Sequence, residues 1–230
     1  MLATRLSLSH VVDMLAQFYG EPDPPRVTDP FEMILWENIA YLANDVRRAE
    51  AFDELREKVG LRPADIRKAN DKTLLSITSK GIVPQNSVEK LRTAAKIAGE
   101  FFGDDLTTIL KRPIAAAKKD LGLFPSIGEP AAEKILLFNH KLAVLALDSN
   151  GLRVLVRFGF ATEKKSYSAT YKGAQQLLAP QLPAGCAALV RAHQLLRRHG
   201  QELCKRSNPM CARCPLRAQC AFFAEAAFPA

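Results

Sequence analysis

Apolar residues return every three or four positions along most of this chain, the period of helices that bury one face. Val11, Val12, Leu15, Phe18 and Tyr19 predict a helix over 7–19 with a serine as its N-cap. GEPDPPRVTDP cannot continue that helix and reads as a linker. Asp29 and Pro30 then open a long helical run, PFEMILWENIAYLANDVRRAEAF. It is apolar enough to be central, yet it carries Glu37, whose burial would need a reason. Further helices are expected over 63–70, 71–78, 86–102 and 106–121, with KGIVPQN as a loop and Gly122 as a C-cap. VLVRFGF at 154–160 fits a strand or a helix, and no other stretch alternates usefully. The pattern predicts an all-α fold.

Two stretches stand out from this helical background. LGLFPSIGEPAAEKILLF, residues 121–138, reads as helix, tight turn, helix, with Phe124 and Ile127 as buried pegs. Gly128 would let the backbone approach a ligand at the next helix's N-terminus, where free N–H groups suit a phosphate. An ordinary helical corner would use the same residues. In LDSNGLRVLVRFGF, Asp148 precedes Ser149 and Asn150 and is placed to cap the following helix. Beyond it, Cys186, Leu189, Val190, His193 and Leu196 share a helical face, and His199 lies at that helix's end before Gly200. Packing alone accounts for both histidines.

The cysteines bring in chemistry. Of five in the chain, four fall as Cys204, Cys211, Cys214 and Cys220, a C-x6-C-x2-C-x5-C spacing. Four thiolates so close in sequence can wrap one metal centre, since soft sulfur suits iron–sulfur clusters or zinc. Zinc ribbons pair two C-x2-C knuckles across a longer gap. A single knuckle flanked by lone cysteines points instead to a cubane [4Fe-4S] cluster. Disulfides would leave Cys186 as an odd thiol in a chain expected to carry no secretory leader.

Bulk composition adds a partner class. Within 230 residues the formal charge is +8, and 48% of positions are hydrophobic. No apolar run is long enough for a membrane span, so a cytoplasmic location is expected. A basic surface suits a polyanion. Lys205, Arg206 and Arg213, with Arg191, Arg197, Arg198 and Arg217, surround the cysteine loop as a candidate phosphate reader.

FPSIGEPAA, then LDSNGLRVLVR, then the four-cysteine loop, in that order, resembles the helix–hairpin–helix superfamily of base-excision DNA glycosylases. The likeness runs from about Pro30 to Cys220 and is strongest to its endonuclease III and MutY group. It implies a two-lobed fold: a six-helix barrel over 28–134, and a lobe of 1–27 with 135–230 that holds a structural [4Fe-4S] cluster. It also implies a double-stranded DNA substrate whose damaged or mismatched base is flipped into the cleft, bound by a nucleoid-associated monomer. Asp148 falls at the family's catalytic aspartate, Asn150 at its neighbour, and Glu37 at the MutY-type catalytic glutamate. Pro125, Ile127 and Gly128 fall on the DNA-binding hairpin, and Leu42 on the segment that fills the gap left by the flipped base.

The chain departs from that pattern at Pro130, where lyase-competent members carry the Schiff-base lysine. A monofunctional hydrolytic glycosylase is therefore expected. The alternatives are a non-catalytic DNA-binding iron–sulfur protein, a bifunctional endonuclease III-like glycosylase/lyase, and a zinc-loop structural protein. Tyr41 and Leu42 replace the family's glutamine-rich wedge, and the chain ends soon after Cys220. The excised base is not legible in the sequence.

Overall fold

The computed structural model describes residues 7–182 and 184–227. It is 67% helical, with no strand among the described residues. The helices run α1 Leu8–Tyr19, α2 Pro30–Asn38, α3 Asp45–Lys58, α4 Pro63–Lys68, α5 Asp71–Thr78 and α6 Pro84–Phe102. After a 3₁₀ turn at Leu106–Lys111 come α7 Ile114–Leu121, α8 Glu129–Phe138 and α9 Ser149–Phe158. The series closes with α10 Tyr167–Leu178, α11 Cys186–Glu202 and α12 Ala221–Ala227. Chain contacts divide it into one unit of Pro25–Lys141 and another made from the segments on either side.

The Pro25–Lys141 unit is built on α6. Its Leu91, Ala94, Ala95 and Ala98 are fully buried, and α2, α4 and α5 all pack on this helix. Small alanines on one stripe let neighbouring helices approach closely. Arg92 on the same helix gathers the carbonyls of Ile66 and Arg67, each at 2.7 Å, and so closes the C-terminal end of α4. One expectation is corrected here. The run from Pro30 to Phe52 is two helices, because the chain turns at Leu42, whose φ is 54°, and Asn44 caps α3 anew. The expected 106–121 helix is likewise split at Pro113, which has no N–H to continue the ladder.

In the other unit α11 lies along α9, and α1 lies along α11. Leu152 and Leu155 of α9 and Leu195 and Leu196 of α11 are buried. VLVRFGF is helical through Phe158, and Gly159, at φ 95°, supplies the left-handed C-cap. The close approach of α9 and α11 has a steric condition. A Cβ on Gly200 would stand 2.6 Å from the Asn150 carbonyl oxygen.

Candidate functional site

The N-terminus of α9 holds Asp148. Its Oδ1 accepts from the Asn150 and Gly151 N–H groups, at 3.0 and 2.8 Å. The Asn150 amide donates to Oδ2 at 3.0 Å, and Arg197 of α11 is ion-paired to that same oxygen. Burial alone would raise this carboxyl. Arg197, His193 and the hydrogen bonds from Gly151 and Asn150 outweigh it and hold it down at about 2. Asp148 is therefore a fixed anion about a fifth exposed, placed at the positive end of a helix dipole. Beside it, the half-exposed Tyr167 donates its hydroxyl to the Leu147 carbonyl at 3.1 Å.

Arginines that sequence reasoning passed over tie this helix to the cysteine loop. Arg153 donates to Asn150 Oδ1 at 2.9 Å, to the Gly200 carbonyl at 2.7 Å and to the Cys204 carbonyl at 2.8 Å. One turn on, Arg157 reaches the carbonyls of Lys205 and Arg206 at 2.6 and 2.9 Å. Their signal in the sequence was two arginines four positions apart on the helix that Asp148 caps. Solvated charge has that same period.

Cys204, Cys211, Cys214 and Cys220 all line one apolar chamber with Val154, Phe158, Leu203 and Phe222. All four are free thiols. Burial pushes the Cys214 thiol up to about 11, the other three cysteines adding to it, and burial with Cys204 and Cys211 raises Cys220. Among the described residues no three His, Cys, Asp or Glu side chains converge tightly enough for a single metal ion. Cys186, at the start of α11, is not among the lining residues. His199 is: its Nε2 lies 3.4 Å from Cys214 Sγ, and its Nδ1 lies 3.0 Å from the Tyr19 hydroxyl. Lys205, Arg206 and Arg213 are exposed on the loop's outer side.

The remaining candidates lie in the Pro25–Lys141 unit. Phe124 and Ile127 are buried, so Ile127 offers no side chain to a ligand, and its N–H is bonded to the Phe124 carbonyl at 3.2 Å. The left-handed position of the hairpin turn is Ser126, with φ 64°, and not a glycine. Gly128 has an ordinary φ of −83°, and an added Cβ would meet only Pro130 Cδ, at 3.9 Å. Neither the backbone nor the packing demands a glycine there. Asn38 braces the turn by donating to the Pro125 carbonyl at 2.9 Å.

Glu37 is ion-paired with Lys134 of α8, one turn beyond Pro130, and both side chains are largely buried. Leu42 combines two anomalies, a left-handed backbone and 68% exposure. Ile82, also largely exposed, is joined to that loop by its N–H, which donates to the Tyr41 carbonyl at 3.2 Å. Lys90 sits over the Tyr41 ring. Ile82 escaped notice in the sequence because KGIVPQN reads simply as a loop.

No family model matches the chain. Endonuclease III of Thermotoga maritima is 23% identical over 206 residues, spanning 88% of this chain and 87% of that protein. Among solved structures, a trapped endonuclease III–DNA covalent intermediate is similar at TM-score 0.75 and 17% identity, covering 97% of this chain and 100% of that one. A thermostable thymine-DNA glycosylase is similar at TM-score 0.71 and 17% identity, covering 95% and 97%. Over most of its length the chain is thus similar in sequence to endonuclease III, and it shares the all-α fold of the solved endonuclease III structures.

Proposed function

We propose that the chain is a monofunctional DNA glycosylase, hydrolysing the N-glycosidic bond of a flipped, damaged or mismatched base. The observation that carries this reading is Asp148, a carboxylate held ionised at a helix N-terminus, with one of its oxygens occupied by two backbone N–H groups. Cleavage of the glycosidic bond develops oxocarbenium charge on the sugar, as in glycoside hydrolysis. A fixed anion that needs no reorganisation is suited to stabilise that charge. With Oδ1 capping α9 and Oδ2 taken by Asn150 and Arg197, Asp148 acts as an electrostatic stabiliser rather than a proton acceptor.

Glu37 has the position of the MutY-type acid, and its ion pair with Lys134 must open before it can donate a proton. Pro130 has no amine for a Schiff base, which supports hydrolysis without lyase chemistry. The Gly128 backbone and the exposed Lys205, Arg206 and Arg213 are read as phosphate contacts. Leu42 and Ile82 are read as apolar wedges that enter the stack when the base leaves. A strained, exposed leucine in a loop is otherwise costly.

The four free cysteines around an apolar chamber fit a [4Fe-4S] cluster, whose ligands stand farther apart than those of one tetrahedral zinc. Cys204, Cys211, Cys214 and Cys220 would hold it. When bound, the cluster supplies a rigid framework for the basic loop. Arg153 and Arg157 carry that rigidity to Asn150 and hence to Asp148.

A panel of duplexes, each with one lesion, scored for abasic sites with the parent chain and Asp148→Asn, tests the proposal. Release of one base that Asp148→Asn slows by ~10² supports it, and no release from any lesion overturns it. One observation favours the non-catalytic DNA-binding reading: the Arg197 pair neutralises the carboxylate that would face the sugar. That reading takes over if DNA is bound but no base is released.

A further inference from the structure

We propose that His199 donates a hydrogen bond from Nε2 to the Cys214 sulfur, and that Tyr19 fixes the ring tautomer that makes this possible. The proposal rests on the cluster reading above. A thiolate that ligates iron carries no proton, so it can only accept. At 3.4 Å from that sulfur, Nε2 must therefore carry the ring proton. A neutral imidazole has one N–H, which leaves Nδ1 as an acceptor. Its partner at 3.0 Å is the Tyr19 hydroxyl, which must donate. The direction of every bond in this chain of three follows from the sulfur being a ligand and the buried ring being neutral.

Burial makes the arrangement hard to replace. His199 is 1% exposed, so water cannot substitute for either partner. Tyr19 ends α1, and the Arg198 guanidinium lies over its ring, 4.7 Å from the centroid. The N-terminal helix thus reaches across 180 residues of sequence to orient one ligand of the loop. A hydrogen bond to a ligating sulfur draws electron density from it and favours the reduced, more negative state of the centre. His199 is thus a positioning and tuning residue for Cys214, with Tyr19 as its support.

The first test uses the native chain labelled with ¹⁵N-histidine, loaded with iron and made paramagnetic. None of the other three histidines lines the chamber, so pulsed EPR should show a single weak nitrogen coupling and an exchangeable proton. The second compares midpoint potentials. His199→Leu should move the midpoint downward, His199→Gln should restore part of the shift through its own amide N–H, and Tyr19→Phe should also lower it. A ¹⁵N coupling that is absent in the iron-loaded native chain overturns the proposal, whether or not any variant folds. So does an unchanged midpoint in iron-loaded Tyr19→Phe or His199→Leu, because a histidine that only packs would alter the melting temperature alone. A native chain that binds no iron would instead sink the cluster reading.

Discussion

Arg197 of α11 closes an ion pair on Oδ2 of Asp148, the same carboxylate that caps α9. Replacing Asp148 with Asn therefore has two separable consequences. Asparagine keeps the cap, since it accepts helix N–H groups about as well as aspartate. It also removes the charge that Arg197 pairs with, at a cost of about 1–2 kcal/mol for a largely buried pair. Loss of ~3 kcal/mol of transition-state stabilisation would slow base release by ~10². Adding Arg197→Met should recover the melting temperature without recovering the rate, which chemical denaturation and single-turnover assays would separate. Recovery of both would reduce Asp148 to a capping residue.

The same pair sets a pH dependence. The folded-state pKa of Asp148 lies below its ordinary value, so its contribution to stability is complete above about pH 4 and is lost as the pH falls toward 2. Holding the carboxyl down at about 2 corresponds to ~2 kcal/mol. In Arg197→Met the carboxyl should titrate higher, so both the acid unfolding limb and the acid limb of kcat/KM should move up in pH. Acid titration followed by circular dichroism, with a pH–rate profile, checks both.

The hairpin turn offers a contrast between neighbouring residues. Ser126 holds a left-handed backbone that costs ~1 kcal/mol for a residue with a Cβ. Glycine there relieves the strain but adds unfolded-state entropy, so Ser126→Gly should gain a few tenths of a kcal/mol. Gly128→Ala should leave stability within ~0.5 kcal/mol, because its Cβ meets nothing closer than 3.9 Å. It should nonetheless weaken binding to all duplexes, and Gly128→Val should weaken it further. Fluorescence anisotropy at two salt concentrations reads this out, and unchanged affinity removes the turn from the DNA surface.

Leu42→Gly should raise the melting temperature slightly, by relieving a φ of 54°, while base release falls. Ile82→Ala should lower release with little change in stability, since that side chain is largely exposed. A loop leucine of no consequence would show the stability gain alone.

Purified protein should be brown, and Cys211→Ser should bleach it while Cys186→Ser should not. Arg153→Met leaves three acceptors in the α9–α11 contact without their donor, at ~2–3 kcal/mol in all, and should speed the loss of absorbance near 400 nm under chelator. Borohydride should trap no protein–DNA adduct, with strand breaks appearing only after alkali or heat. A trapped adduct would point to Lys134, the amine one turn beyond Pro130.

Helical periodicity, the PSIG turn, the four cysteines and the cap at Asp148 were all legible from the sequence, because each depends on neighbours within about one helical turn or on a short spacing. The break at Leu42 was not, since an apolar run has the same period on both sides of a strained residue and local propensity cannot register the turn. Nor could the sequence reveal that Asp148 is paired with Arg197, or that Glu37 is paired with Lys134. Those partners lie 49 and 97 positions away. The same holds for Tyr19 and His199, two unremarkable residues until α1 and α11 pack together. Short-range sterics and spacing determine which chemistry the chain can carry. Long-range packing decides which charges are neutralised and which hydrogen bonds run in which direction, because only the assembled core removes the water that would otherwise satisfy them.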